Sequence, residues 1–388
     1  MTDQGLTAAI ENRVSSGKSS VSDRPAQQSS TTSNKLLTFI VATALVSIAS
    51  VILALPYRNL LFPSVFHASK RSIALSVAGL NPTSPIVVAT AMLDEKPVSA
   101  KLDADIGAPT GNRTPVYFFS HGGPTFMYSD RDEDGGDLGA FKMLRKIGKE
   151  IVEKVRPKAV VVFSAHWQAS EDQVEVNTSE ISDLIYDFYG FPSFMYEEQF
   201  PNVGSRAVAQ RVIDQLQSKG IKAKGVSRGI DHGVWVPFKI TFPEFQALKV
   251  PIVQVSLFGT DNPNQHVALG KALAPLRDEN ILIICSGMTV HNLREMGKYW
   301  GSVAPYSKRF DDTLERAIST QVGTAREDAL ANLIETNDAN KSHPTKEHLL
   351  PIYIAAGAAY NEKGERLYTN QTSSLAWGEY RFGSLINA

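Results

Sequence analysis

Apolar and polar positions fall into four regimes along the chain. Residues 1–35 are rich in Ser, Thr, Gln and Asn and carry few large apolar side chains. Such a segment cannot bury enough surface to offset the entropy of ordering, so a disordered N-terminal segment is expected. LLTFIVATALVSIASVILAL follows, from Leu36 to Leu55, with no charge in it and with Lys35 and Arg58 on its flanks. At ~1.5 Å rise per residue, a helix of that length crosses a ~30 Å hydrocarbon core. A single transmembrane anchor over 36–55 and a single-pass membrane location are therefore expected. The basic bias across the span is too slight to set orientation or to name the membrane. Residues 56–112 show weak periodicity and read as a linker.

From Pro115 onward short apolar runs alternate with segments whose apolar residues recur every three or four positions. PVYFFS, AVVVFSAHW, PIVQVSLF and ILIICSG read as strands. Leu138, Phe141, Leu144, Ile147, Ile151 and Val155 mark one helix, Ala207, Val208, Val212, Ile213 and Leu216 a second, and a third is expected over about 265–276. Continuous apolar strands separated by amphipathic helices predict an α/β domain. Residues 113–388 are expected to form it, as a single domain with a mainly parallel central sheet flanked by helices.

Charge and cysteine content narrow the chemistry. The formal net charge is -1 over 388 residues, and no Lys/Arg stripe offers a footprint for nucleic acid. With Cys285 the sole cysteine, neither an intrachain disulfide nor a thiolate metal site can form. Any metal must be held by nitrogen and oxygen ligands.

The histidines supply candidates. His121 ends the first strand, in PVYFFSHGGPTF; His166 ends the next, in VVFSAHW; His291 follows ILIICSG, in GMTVHNL. If those strands run parallel, the three imidazoles reach one carboxyl edge of the sheet, where α/β folds assemble sites. Three neutral imidazoles with open positions beside them suit Zn, Fe, Cu or Ni. His232, in GIDHGVWVPF, sits in a Gly-flanked loop and is a fourth candidate for the same rim, with Asp231 placed to orient its ring. In SHPTKEHLLPIY, Pro344 is suited to a first helical turn from which Glu347 and His348 would project toward the site, with His343 just ahead. His67 and His266 have no such context and are expected to be structural or solvated. The aromatic run IYDFYGFPSFMY reads as either a pocket wall for a planar ligand or ordinary core.

SHGGPTF, FSAHW, DFYGFP, GIDHGVWVPF, ILIICSGMTVHNL and HPTKEHLLPIYIAAGAA, in this order between about residues 114 and 388, resemble the class III extradiol ring-cleavage dioxygenases. They are most similar to the 4,5-DOPA dioxygenase-like branch. The resemblance implies that His121, His166 and His291 are metal ligands and that His232 handles protons or adds a fourth ligand. It places His343 and His348 in a motif near the substrate. The implied activity is O₂-dependent cleavage of the aromatic ring of a catechol such as DOPA, giving a semialdehyde. Many members of the wider class use two histidines and a carboxylate; here the third position is His291, which leaves both Fe(II) and Zn(II) as candidate ions. Ferrous iron can pass electron density from a catecholate to O₂, whereas zinc has no redox chemistry. Two other functions fit the same residues: a zinc hydrolase with His232 as base, and a non-catalytic binding protein on the same fold.

Overall fold

The structure, a computed structural model, describes residues 113–130, 136–243 and 248–385. They belong to one compact unit, Leu93–Ala388. Eleven strands are assigned among the described residues: β1 (Val116–Ser120), β2 (Ala159–Gln168), β3 (Gln173–Asn177), β4 (Lys222–Val226), β5 (Ile252–Leu257), β6 (Ile281–Gly287), β7 (Val290–His291), β8 (Gly364–Tyr368), β9 (Gln371–Thr372), β10 (Leu375–Ala376) and β11 (Glu379–Phe382). Eight of them form one sheet in the order β4-β3-β5-β2-β6-β1-β11-β8, and β7, β10 and β9 form a small second sheet.

The four strands expected from sequence make the parallel centre, β5-β2-β6-β1. Outside it the sheet turns antiparallel, at β3 against β5 and at β11 against both β1 and β8. The sheet is thus mixed, and the expectation of a mainly parallel one holds for its centre. Connection length explains the difference. Only residues 169–172 separate β2 from β3, whereas a parallel return needs a crossover of a dozen residues or more. The chain therefore reverses there.

Successive side chains of the central strands alternate between two cores. Val116, Phe118, Val161, Phe163, Val253 and Ile283 face one side. They pack against residues of α2 (Arg206–Ser218), α4 (Pro263–Leu273), α5 (Pro305–Thr320) and α8 (Leu350–Ala358). Tyr117, Phe119, Val160, Val162, Leu282 and Ile284 face the other side, against α1 (Leu138–Glu150) and α3 (His232–Thr241). Two further helices are α6 (Gly323–Ile334) and α7 (Asn337–Ser342).

Two local expectations change. His232 opens α3, with Asp231 at the N-cap position, where a loop was expected. Every residue of α3 except Lys239 is buried, so no polar face marks its period. Pro344 does not start a helix; α8 begins at Leu350 with Pro351 in its first turn. The segment carrying Glu347 and His348 is instead a turn lying across the end of β6. There Met288 N–H donates to His348 O at 2.9 Å.

The expected membrane anchor, Leu36–Leu55, lies outside the described residues, as do the N-terminal segment, the linker to residue 112 and His67. Among the described residues no helix is long and apolar enough to cross a membrane. The expected single-pass membrane location, and with it the membrane as a partner, is therefore withdrawn.

Gly287 fixes how closely that turn approaches the sheet. A Cβ there would sit 2.1 Å from His348 O, a backbone atom that cannot swing aside. Gly287→Ala is expected to lower stability by roughly 1–3 kcal/mol, the usual cost of forcing an extra carbon into a packed interior. A urea midpoint equal to that of the parent would show that the His348 turn is free to shift.

Candidate metal centre and active site

Strand register brings the first two histidines together. Ser120 lies beside Gly287, and Ser164 beside Ser286, across adjacent parallel strands. His121 therefore emerges one residue beyond β1, with its N–H donating to Gly287 O at 3.0 Å. The residue after it must vacate the space above. Gly122 has φ +57°, and a Cβ on it would lie 2.4 Å from the Trp377 ring. A left-handed backbone and a close-packed indole both demand glycine at that point.

His121, His166, His232, His291 and His348 line one pocket of about 530 Å³. The ring centres of His121 and His166 are 5.0 Å apart, those of His166 and His232 4.0 Å, and those of His121 and His348 5.2 Å. His291 stacks on His348 at 3.7 Å and 17°.

The outer nitrogens of four of these rings are tied down, and the ties set where each proton sits. Pro237 lies within α3 and has no N–H to offer the carbonyl of Gly233, four residues back. Ser286 Oγ donates to that carbonyl at 2.5 Å. Having spent its one hydrogen there, Ser286 accepts from His121 Nδ1 at 3.0 Å. Asp187 accepts from His232 Nδ1 at 2.8 Å and from the His232 backbone N–H at 3.0 Å. Its second oxygen lies 3.2 Å from His166 Nδ1. Glu347 Oε1 is 3.0 Å from His348 Nδ1.

With their Nδ1 protons committed outward, His121, His166, His232 and His348 turn Nε2 lone pairs elsewhere. His121 Nε2 and His166 Nε2 meet at 3.1 Å. Two lone pairs that close repel each other unless a cation lies against both. The gap is within the span of two nitrogens each ~2.1 Å from a shared ion. One ligand nitrogen from each of His121, His166 and His348 lies within 4.8 Å of the other two. The donor set therefore fits a divalent ion of the kind imidazole prefers.

Electrostatics agree with that fit. Burial, followed by the neighbouring imidazoles, lowers the basicity of His121 and His348 well below that of a free imidazole. His291 is lowered by the same two causes. For His232, burial and then His166 lower it while Asp187 opposes them. These rings stay neutral, as ligation and proton acceptance both require. Burial works against an ionised Asp187, yet the hydrogen bonds from His166 and His232 outweigh it and hold the carboxyl well below the usual carboxylate range.

Of the six histidines singled out from sequence as site residues, five share the pocket and His343 does not. His343 is fully buried away from the lining, with Nε2 bonded to Thr289 O at 2.9 Å, and burial takes it down to about 3. His266 is structural as expected, fully buried with Nδ1 on Asn262 O at 2.9 Å. Asp231, expected to orient His232, faces the other way. It accepts from Ser164 Oγ at 2.6 Å, Arg228 at 3.0 Å and Gln254 at 2.5 Å. Asp187 does that work, and sequence reasoning missed it. The available signal was a single acid in DFYGFP, inside an otherwise uncharged aromatic stretch. The aromatic run does wall the pocket, through Phe188, Tyr189 and Phe191.

Comparison with known proteins agrees with this geometry. Residues 115–380 match the family described as the catalytic LigB subunit of aromatic ring-opening dioxygenase. A protein named 4,5-DOPA dioxygenase extradiol from Beta vulgaris is 36% identical over 279 residues, covering 70% of this chain and 98% of its own. A 4,5-DOPA dioxygenase extradiol-like protein from Schizosaccharomyces pombe is 36% identical over 262 residues, covering 65% and 86%. Among solved structures, an uncharacterized protein from Escherichia coli K12 superposes with TM-score 0.56 at 28% identity, covering 70% of this chain and all of its own. The chain belongs to the LigB family of aromatic ring-opening dioxygenases, and is a metal-dependent extradiol ring-cleavage enzyme.

Proposed function

We propose that residues 113–388 cleave the ring of a catechol beside its diol with O₂, giving a semialdehyde, at an ion held by His121, His166 and His348. The observation that carries this reading is the inward convergence of imidazoles whose outer nitrogens are all bonded elsewhere. His291 was the third ligand expected from sequence. We propose His348 in that place, a reading supported by the grouping of its nitrogen with those of His121 and His166. His291, stacked against His348, stands at the open side as an additional ligand or a substrate contact.

When bound, a ferrous ion would supply the electronic path from catecholate to O₂, which zinc lacks; Fe(II) is the proposed working ion. His232 is the proposed proton acceptor for a catechol hydroxyl. Its Nδ1–H is fixed on Asp187, so the lone pair lies on Nε2, and the Asp187 carboxylate stabilises the imidazolium that forms. Later the same Nε2 returns the proton. The Phe188 ring meets His232 edge-on at 5.7 Å and keeps it from turning. Burial of His121, His232 and His348 keeps water from competing for the reacting oxygens.

Oxygen uptake with catechol and with DOPA, after anaerobic loading with Fe(II) or with Zn(II), tests the reading directly. Uptake is expected with iron alone; hydrolytic activity with zinc and no uptake with iron would favour the hydrolase alternative. His121→Ala, His166→Ala and His348→Ala are each expected to lose most bound metal, measured on the purified variants. Full metal content in any of them removes that residue from the ligand set.

His232→Gln should keep the metal and still bind catechol, while turnover falls ~10²–10⁴-fold, the usual span for a positioned proton-transfer group. Unchanged turnover would end the proton-transfer role, and lost metal would make His232 a ligand.

Asp187→Asn separates positioning from ligation. An amide has one acceptor and one donor end, so it cannot accept from both Nδ1–H groups. Metal affinity is expected to weaken roughly 10–100-fold, as for other partners of metal-bound histidines. Titration of the metal-free protein reads this; parent-like affinity would show that Asp187 does not orient His166.

A further inference from the structure

The pocket is larger than a catechol, and among the described residues its lining carries one charged side chain, Asp187. Resting on the extradiol reading, we propose that it prefers catechols bearing a neutral, apolar substituent, aryl or branched alkyl, over an amino-acid catechol such as DOPA.

Size comes first. A cavity of ~150 Å³ accepts a benzene ring, and this pocket measures about 530 Å³. A catechol on the imidazole floor leaves room for a second group as large as itself. The walls beside that floor are Phe188, Met288 and Trp377, all buried. At the mouth, three large side chains line the pocket while standing open to solvent: Tyr189 is 88% exposed, Leu293 58% and Trp300 77%. Solvent-facing apolar groups gathered at one opening mark a surface that a ligand covers. A flat or branched apolar substituent reaching outward from the ring would cover it.

Charge points the same way. Among the described residues, no Lys or Arg lines the pocket. Its anionic side chain is Asp187, which would repel the carboxylate of DOPA. Asp187 is also occupied by His166 and His232, so it is not open to the ammonium group. Arg228 and Lys346, nearby, are engaged elsewhere. The Arg228 guanidinium bonds to Asp231 at 3.0 Å and stacks 4.5 Å over Trp167. Lys346 Nζ bonds to Asn340 at 2.8 Å and to His343 O at 3.1 Å. Arg294 is exposed and outside the lining, although its neighbour Leu293 belongs to it. A carboxylate entering such a site gives up water without gaining a partner, which is costly, whereas an apolar group gains by entry.

Four compounds decide the matter: catechol, 4-benzylcatechol, 3,4-dihydroxyphenylpropionate and DOPA. Binding to the Zn(II)-loaded full chain is followed anaerobically by quenching of tryptophan fluorescence. O₂ uptake is then measured on the Fe(II)-loaded protein. We expect 4-benzylcatechol to bind, and to show a kcat/KM, at least about tenfold better than DOPA, the scale a hydrophobic pocket can discriminate. Dihydroxyphenylpropionate, which keeps the carboxylate and lacks the ammonium, should be as poor as DOPA. Trp300→Ala should reduce the advantage of 4-benzylcatechol over catechol several-fold in binding and in kcat/KM. DOPA equal to or better than 4-benzylcatechol in binding and turnover would overturn the inference while leaving the extradiol reading intact. So would an Arg294→Gln change that weakens DOPA far more than 4-benzylcatechol, because it would place a cation at the substituent. Tight, selective binding of 4-benzylcatechol without O₂ uptake from any compound would sink the extradiol reading and sustain the specificity.

Discussion

A histidine can present a lone pair to a metal or a substrate only if its other nitrogen has somewhere to put a proton. The rest of this site depends on that constraint. His121 meets it through Ser286, whose own hydrogen goes to the carbonyl of Gly233. That carbonyl needs a donor because Pro237 brings none. A helix irregularity in α3 thus fixes a tautomer on the neighbouring strand edge. Asp187 meets the constraint for two rings at once, and Glu347 meets it for His348. None of these partners need touch a ligand to act. Each turns a ring that can bind in two ways into one that binds in one.

The scaffold supplies positions that these hydrogen bonds refine. Parallel pairing of β1, β6 and β2 in register places their carboxyl ends level, so residues far apart in sequence emerge within a few ångströms. The antiparallel strands β11 and β8 then close the side of the sheet next to β1. The connection before β11 sets Trp377 against Gly122 and over the pocket. Gly287 lets the His348 turn rest on the end of β6. Strand ends, one aromatic and one turn therefore converge, and the long connection between β3 and α2 adds Asp187 to them. Precision of that kind is what ligation by several imidazoles requires.

Much of this was legible along the chain because it rests on local patterns. The four central strands are unbroken apolar runs, and the histidines at or just past their ends follow from strand direction alone. What stayed hidden rests on contacts between distant segments. Asp187 and His232 are 45 residues apart and meet at 2.8 Å; adjacency suggested Asp231 instead, whose carboxylate is consumed by Ser164, Arg228 and Gln254. The helix beginning at His232 was masked because a helix buried on all sides shows no stripe, and because Gly233 and Pro237 read as breakers. Proline in SHPTKEHLLPIY signalled a helix start, but of the two available prolines the second is used. The outer antiparallel strands went unseen because GERLY and EYRF are short and each carries two charges.

Neutral donors also explain why so much of this pocket can be apolar. A carboxylate ligand would cancel part of a divalent ion's charge, whereas neutral imidazoles would leave that charge to be balanced by the oxygens of an anionic diol rather than by the pocket walls. Here the charged side chain within the pocket, Asp187, sits behind the rings of His166 and His232 and satisfies both. Its oxygens are engaged by those two rings, although the side chain still reaches the pocket lining. The wall facing the substrate can then be built from Phe188, Met288, Leu375 and Trp377, which exclude water without competing for the ion. Placing the anion behind the imidazoles separates two demands that usually conflict, the polar support a metal centre needs and the dry surface an aromatic ring prefers.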